Sequence, residues 1–164
     1  MRGDNRLRLL KVIIKRYRDI RRLCDEEIME RCRQSEQYYE SFDWFARLMQ
    51  GRDPDMATEV LAHTSHVTEG IMLKIEKAVS DYGAEAGAGD KDMRRQFDIL
   101  YERYFAPEKM SVGQMAVKYG ISRDTVFRDT KKAMKHLAGM LLDADFSQEK
   151  LTEFEKRLDA TFKI

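Results

Sequence analysis

The sequence contains few residues that break or restrict a regular backbone. Its 164 residues include only two prolines and nine glycines, and β-branched residues are not enriched. This composition favours helices over strands, so we expect an all-α protein. No apolar run approaches the roughly 18 residues of a membrane-spanning helix, and no signal-peptide pattern follows the basic N-terminus. We therefore expect a cytoplasmic protein with no membrane partner.

Cysteine is also scarce. Cys24 and Cys32 are eight residues apart, which on one helix corresponds to about 12 Å of rise. That separation is too long for a disulfide, and two thiols without a nearby His or Cys pair do not form a zinc site. We expect both cysteines to be reduced.

Recognisable catalytic and cofactor motifs are missing. The chain has no phosphate-binding loop, no nucleophile elbow, no zinc-protease motif and no dinucleotide fingerprint, so we predict that it is not an enzyme and needs no cofactor. One group of side chains has spacing that a metal could use, but no second helix offers a matching Glu-x-x-His partner, and we predict no metal site. The members of that group are Glu59, His63, His66 and Glu69.

Charge is distributed unevenly along the chain. Residues 1–23 contain nine Lys and Arg against two acidic residues, whereas residues 24–107 have a net charge of −8. Residues 108–139 have a net charge of +4, and residues 140–164 have a net charge of −2. Two basic segments separated by an acidic one indicate localised partners, because a phosphate backbone responds to the local field. The basic N-terminal segment could contact DNA or lipid, or the acidic middle segment of the same molecule, which we favour.

The N-terminal segment has helical periodicity. Apolar residues recur every three or four positions from Leu10 to Ile28, which predicts one long amphipathic helix from Asp4 to about Arg33. The 10-13-17-20-24 spacing also fits a short heptad seam. This helix could therefore form a homodimer with a second copy or pack inside the monomer.

Two further helices are predicted before residue 83. Ser41 begins one that ends at Gly51, and Asp53-Pro54 begins another that continues to about Tyr82. The aromatic cluster at the first of these helices lies in acidic surroundings, so we interpret it as a satellite core rather than a surface that stacks on bases. Its members are Tyr38, Tyr39, Phe42, Trp44 and Phe45.

A Gly- and Ala-rich stretch at residues 83–89 predicts a flexible linker and a domain boundary. It divides an N-terminal helical region, 1–82, from a module at 90–145. A last amphipathic helix, at about 148–162 within residues 146–164, follows the module.

The module has the signals of a helix-turn-helix. Asp90 caps a helix that runs to about Phe105, and Ser111 with Gln114 forms a capping box before a short helix, Val112 to Tyr119. Gly120 permits a tight turn, and Ser122 caps a second helix that runs to about Leu142. At the crossing of the two helices Ala116 is small, and apolar residues that can fill the space between them follow at Ile121 and Val126.

Residues 92–142 resemble region 4 of sigma-70-type factors. The resemblance rests on the small Ala116, the Gly-Ile-Ser turn at 120–122, the Thr-Val step at 125–126 and the basic stretch 131–137. Phage regulators of late transcription of the ArpU and RinA type are similar in size and order of segments. The resemblance implies DNA binding in promoter control, with RNA polymerase as a further candidate partner. Asp129 departs from the family, which usually buries an aliphatic residue there.

The first turns of the second helix contain the candidate DNA-reading side chains, which a major groove would receive. They are Ser122, Arg123, Asp124, Thr125 and Arg128. Lysines around them suit phosphate contacts: Lys118, Lys131, Lys132 and Lys135.

We therefore predict a phage- or prophage-type, sigma-like regulator that binds specific double-stranded DNA. Two alternatives use the same helices differently. A phage small terminase subunit would bind packaging-site DNA as a ring-like oligomer, and a helical scaffold would bind protein with an ordinary helical hairpin in this place.

Overall fold

The computed structural model describes residues 2–35, 41–64 and 66–142. All regular structure in these ranges is helical, which confirms the all-α prediction. Within them, no helix is long and apolar enough to cross a membrane. The predicted C-terminal helix at 148–162 lies outside the described residues, as do Tyr38 and Tyr39 of the aromatic cluster.

The N-terminal segment forms three helices, so the prediction of one long helix is wrong. They are α1 (Arg2–Lys15), α2 (Tyr17–Arg22) and α3 (Glu26–Gln34). The second break follows from Asp25, whose carboxylate accepts hydrogen bonds from the backbone N–H groups of Glu27 and Ile28. An Asp side chain that caps a new helix competes with continuation of the previous one, and periodicity does not reveal this competition.

The predicted heptad seam is used inside the chain. Leu10, Ile13 and Ile20 are fully buried in the core of the monomer. Burial of these side chains removes the surface on which a dimer of N-terminal helices would depend. Packing within the monomer, the other outcome left open by the spacing, is the one observed.

Between residues 41 and 87, the described part of the chain contains three α-helices and one 3-10 turn. α4 is Ser41–Leu48, the 3-10 turn is Pro54–Met56, α5 is Ala57–Leu61 and α6 is Val67–Gly87. Gly51 has a positive φ of 80° after α4, and Asp53 caps the 3-10 turn through the N–H of Asp55. The predicted continuous helix to Tyr82 is interrupted between α5 and α6, where His66 has a φ of 74°.

α6 is the central helix of the fold. It packs against α2, α3 and α4 on the N-terminal side of the chain. Its buried side chains include Ile71, Met72, Ile75 and Tyr82. Phe42 and Phe45 of α4 belong to the same core, so these two members of the predicted aromatic cluster contribute to the main core rather than to a satellite of it.

The last described helices are α7 (Lys91–Tyr104), α8 (Val112–Tyr119) and α9 (Arg123–Leu141). α7 and α9 both pack against α6, whereas α8 packs against α7 and α9. Neighbouring residues of α7 face different clusters, because Leu100 belongs to the main core and Ile99 to a smaller one with Met115 and Val126. α7 and α9 thus connect the two clusters.

The prediction of a flexible linker at 83–89 is wrong. Residues 83–87 are the last part of α6, and only Ala88–Asp90 separate it from α7. Ala86 is buried, and the Phe97 ring lies so close to Gly83 that an added Cβ would be 3.0 Å from its Cζ atom. Small residues serve here as helix-packing residues, and the helices on both sides of the stretch share one core.

Part of the basic N-terminal segment contacts the acidic middle segment, as we favoured. Arg21 Nε lies 2.9 Å from Glu76 Oε1, and the Tyr17 hydroxyl donates to the same oxygen at 2.6 Å. The Arg18 guanidinium donates at 2.7–3.1 Å to the carbonyls of residues 102 and 103 in the last turn of α7 and to the carbonyl of residue 106, two residues beyond it. These groups would otherwise lack helical partners, so Arg18 ties α2 to the end of α7.

The helical state of residues 83–87 predicts the effect of a Gly87→Ala substitution. An added Cβ at Gly87 meets nothing within 4 Å, and its φ is not positive. Alanine should therefore increase the free energy of unfolding by about 0.4–1 kcal/mol, since it restricts the unfolded chain without strain. Urea denaturation measures this change. A flexible connection would instead give no change, and the same substitution at Gly51, with its positive φ, should destabilise the protein.

Candidate nucleic-acid interface

Two caps and a glycine define the segment predicted as a helix-turn-helix. Ser111 Oγ accepts from the Gln114 N–H at 3.1 Å, and Gln114 Oε1 accepts from the Ser111 N–H at 2.9 Å, which confirms the predicted capping box. Gly120 ends α8 in the left-handed conformation, with φ 64° and ψ 39°. Ser122 then caps α9 by accepting from the Thr125 N–H at 3.1 Å.

The smaller core cluster holds α8 against the first half of α9. Met115 and Val126 are fully buried in it, and Ala116 and Ile121 pack around them. The backbone N–H of Ile121 also donates to the Ala116 carbonyl at 3.0 Å. The turn and the first turns of α9 are therefore fixed from one side, and the opposite side of α9 faces solvent.

That outer side has many positive charges. Its cationic residues, here called the cationic face, are Arg123, Arg128, Lys131, Lys132 and Lys135. All five are exposed, and none forms an ion pair with a described carboxylate. Asp124 is the one exposed acidic residue of α9. At a helical step of about 100° these residues occupy one half of the α9 surface, and Val126, Asp129 and Ala133 occupy the other.

The five predicted DNA-reading residues differ in their exposure and in the hydrogen bonds that they already form. Arg123, Asp124 and Arg128 are exposed. The Ser122 hydroxyl already caps α9 and lies 2.9 Å from the Thr125 hydroxyl, which is half-buried, so these two side chains are largely committed to the helix start. A methyl group added to Gly113 would lie 3.1 Å from Arg123 Nη2, which places that guanidinium over the first turn of α8 in the free protein.

Lys118 differs from the other predicted phosphate contacts. Its ammonium group pairs with Glu102 of α7, whose Oε1 atom also accepts from the Tyr119 hydroxyl at 2.9 Å. The Lys118 side chain is nevertheless 48% exposed, so it can be shared with an outside anion. Burial raises the pKa of Tyr119, and its hydrogen bond to Glu102 raises it further.

Asp129 of α9, the residue that departs from the resemblance predicted from the sequence, lies in the interior of the protein. It is 3% exposed and accepts from Arg95 Nε at 2.7 Å and from Arg95 Nη2 at 3.5 Å. The hydrogen bond to Asp129 raises the pKa of Arg95. Asp129 is thus buried in an ion pair that joins α7 to α9.

Sequence reasoning missed two residues at this surface, Arg103 and Phe127. The Arg103 guanidinium carbon lies 5.5 Å from the centre of the Phe127 ring, and its Nη1 atom donates to the buried Thr130 hydroxyl at 3.0 Å. Phe127 is 53% exposed. Its place between Asp124 and Arg128 could have indicated an outward position, because both neighbours lie on the polar side of α9.

Both cysteines and the four residues with metal-like spacing lie in the described part of the chain. Cys24 and Cys32 are free thiols. Burial raises the pKa of Cys24 to about 12 and also raises the pKa of Cys32, which keeps both thiols protonated near neutral pH. No group of three or more potential metal ligands occurs among the described residues.

Comparison of the chain with protein-family models, curated proteins and solved structures found no match.

The ion pair of Arg95 with Asp129 predicts that single and double substitutions change the free energy of unfolding differently. Asp129→Asn leaves the Arg95 charge partly buried and should lower the free energy of unfolding by about 1–3 kcal/mol. Replacing both residues, Arg95→Met with Asp129→Leu, removes both charges and should recover most of that loss. Urea denaturation of the three proteins checks this expectation. An Asp129→Asn variant with the same free energy of unfolding as the wild type would contradict the assigned role.

Proposed function

We propose that this protein is a sequence-specific DNA-binding regulator of transcription that places the start of α9 in the major groove. One observation carries the proposal: the first turns of α9 present exposed cations that have no carboxylate partner among the described residues, while the rest of the helix is anchored in the core. A helix held in this way can enter a groove about 12 Å wide without losing its own packing.

Base recognition is assigned to side chains near the start of α9. Arg123 and Arg128 can each donate two hydrogen bonds to guanine O6 and N7, and each such contact distinguishes bases by about 1–3 kcal/mol. Asp124 can accept from cytosine N4. To reach a guanine, the Arg123 guanidinium leaves its position over Gly113, which requires only rotation of an exposed side chain.

Phosphate contacts are assigned to the lysines on and beside the cationic face of α9. Lys131, Lys132 and Lys135 belong to the cationic face of α9, and Lys118 lies on α8, which packs against α9. The free N–H groups at the start of α9 add a further site for a phosphate oxygen. These contacts orient the helix on the duplex but do not read sequence.

An ordinary helical hairpin in a protein-binding scaffold explains less of this surface. Such a scaffold needs apolar area outward, whereas the outward half of α9 has five cations and one large apolar side chain. The resemblance to sigma region 4 supports transcription control over DNA packaging. Contact with RNA polymerase and a phage origin rest on that resemblance alone and stay predictions.

Removal of the two arginines tests the assigned reading residues. The Arg123→Ala, Arg128→Ala double variant should lose selective retention of DNA fragments, because its guanine contacts are absent, while its helical circular dichroism stays unchanged. Capture of genomic fragments followed by sequencing measures this selection. The matched control is Arg22→Ala with Arg31→Ala, which removes the same charge from side chains that are 79% and 69% exposed elsewhere. Equal selection by both double variants would contradict the proposal.

Salt dependence tests the phosphate contacts separately. If four to six phosphates are neutralised, the logarithm of the binding constant should fall with the logarithm of salt concentration at a slope of roughly −4 to −5. The Lys131→Ala, Lys132→Ala variant should make this slope less steep by about 2. Fluorescence anisotropy over a salt series measures both values. Affinity that does not change with salt would rule out the proposed interface.

A further inference from the structure

Phe127 is the large apolar side chain that α9 exposes within its cationic surroundings. Its side chain is 53% exposed, and Arg123, Asp124 and Arg128 lie within four residues of it. A helical step of three or four places Phe127 next to Arg123 and Asp124 on the helix surface. A phenylalanine here contributes little to the core, so its role lies in what the outer face contacts.

The Phe127 ring is held in place rather than free. The Arg103 guanidinium covers one side of it at 5.5 Å from the ring centre, and the same guanidinium is fixed by its bond to Thr130. Thr130 is in turn held by its own hydrogen bond to the Val126 carbonyl at 2.8 Å. A side chain on a helix leans toward the N-terminal turn, so the ring extends toward Arg123 and Asp124.

The chemistry of base edges decides what such a ring can recognise. In the major groove every base presents hydrogen-bond donors or acceptors, and only thymine adds an apolar group, its C5 methyl. A phenylalanine ring has no hydrogen-bonding atom. The ring can therefore pack against that methyl group. It disfavours a polar base edge, because it would remove water from that edge without offering a hydrogen bond in return.

We propose that Phe127 selects a thymine in the bound DNA by packing against its C5 methyl group. This inference rests on the proposed function, because it requires α9 to occupy the major groove. It adds an apolar specificity contact to the charged ones, and it makes Arg103 a positioning residue that keeps the ring oriented. A protein partner that covers Phe127 of α9 and the exposed Val117 of α8 is the competing use of this side chain.

The first step of the test is selection of duplexes from a random library by the wild-type protein and by Phe127→Ala. The wild-type motif should contain a thymine that Phe127→Ala no longer prefers, while the guanine positions persist. Failure of the wild-type protein to enrich any sequence would defeat the proposed function itself. A motif that is identical for both proteins would defeat only the assignment of Phe127 and would leave the side chain available to a protein partner.

The second step changes the DNA and compares the wild-type protein with two variants on the changed duplex. Deoxyuridine in place of the selected thymine removes one methyl group, and wild-type affinity should fall about 3- to 10-fold. Phe127→Ala should bind both duplexes equally, and Val117→Ala should show the wild-type difference. Equal binding of both duplexes by the wild-type protein, or the same difference in Phe127→Ala, would overturn the inference. The difference in wild-type affinity between the two duplexes does not depend on how the variants fold.

Discussion

The arrangement of this protein depends on anchoring of the second half of α9 in the main core. Ala133, Leu137 and Leu141 are buried there against helices from earlier in the chain. Burial of such side chains contributes on the order of 1.5–3 kcal/mol each for the larger ones. Because that half is fixed, the first half extends beyond the main core, where the smaller cluster with Met115 and Val126 holds its inner side and its outer side faces solvent.

Two polar contacts add to this anchoring at particular points. The ion pair of Arg95 with Asp129 joins α7 to α9 close to where α9 leaves the main core. Arg18 holds the other end of α7 through three backbone carbonyls. Both contacts link α7 to segments distant in sequence. A surface built on α8 and α9 therefore moves together with the N-terminal helices.

Internal contacts also divide the basic residues into two groups. Arg18, Arg21 and Arg95 bind carbonyls or carboxylates of the chain itself, whereas the cationic face of α9 has no such partner among the described residues. A net charge near zero therefore does not describe the field outside α9. Phe127 interrupts that face with an apolar surface, and the combination suits a groove that presents phosphates at its edges and methyl groups at its floor.

Local signals in the sequence were enough to predict α8, the turn at Gly120 and the start of α9, because caps and turns depend on residues within about four positions of one another. The buried half of α9 also followed from its periodicity. Other features needed the tertiary structure. Residues 83–87 continue a helix because Phe97 packs on Gly83, and Asp129 is tolerated in the interior because Arg95, from another helix, lies beside it. Contacts between distant parts of the chain decide such outcomes, and no local pattern encodes them.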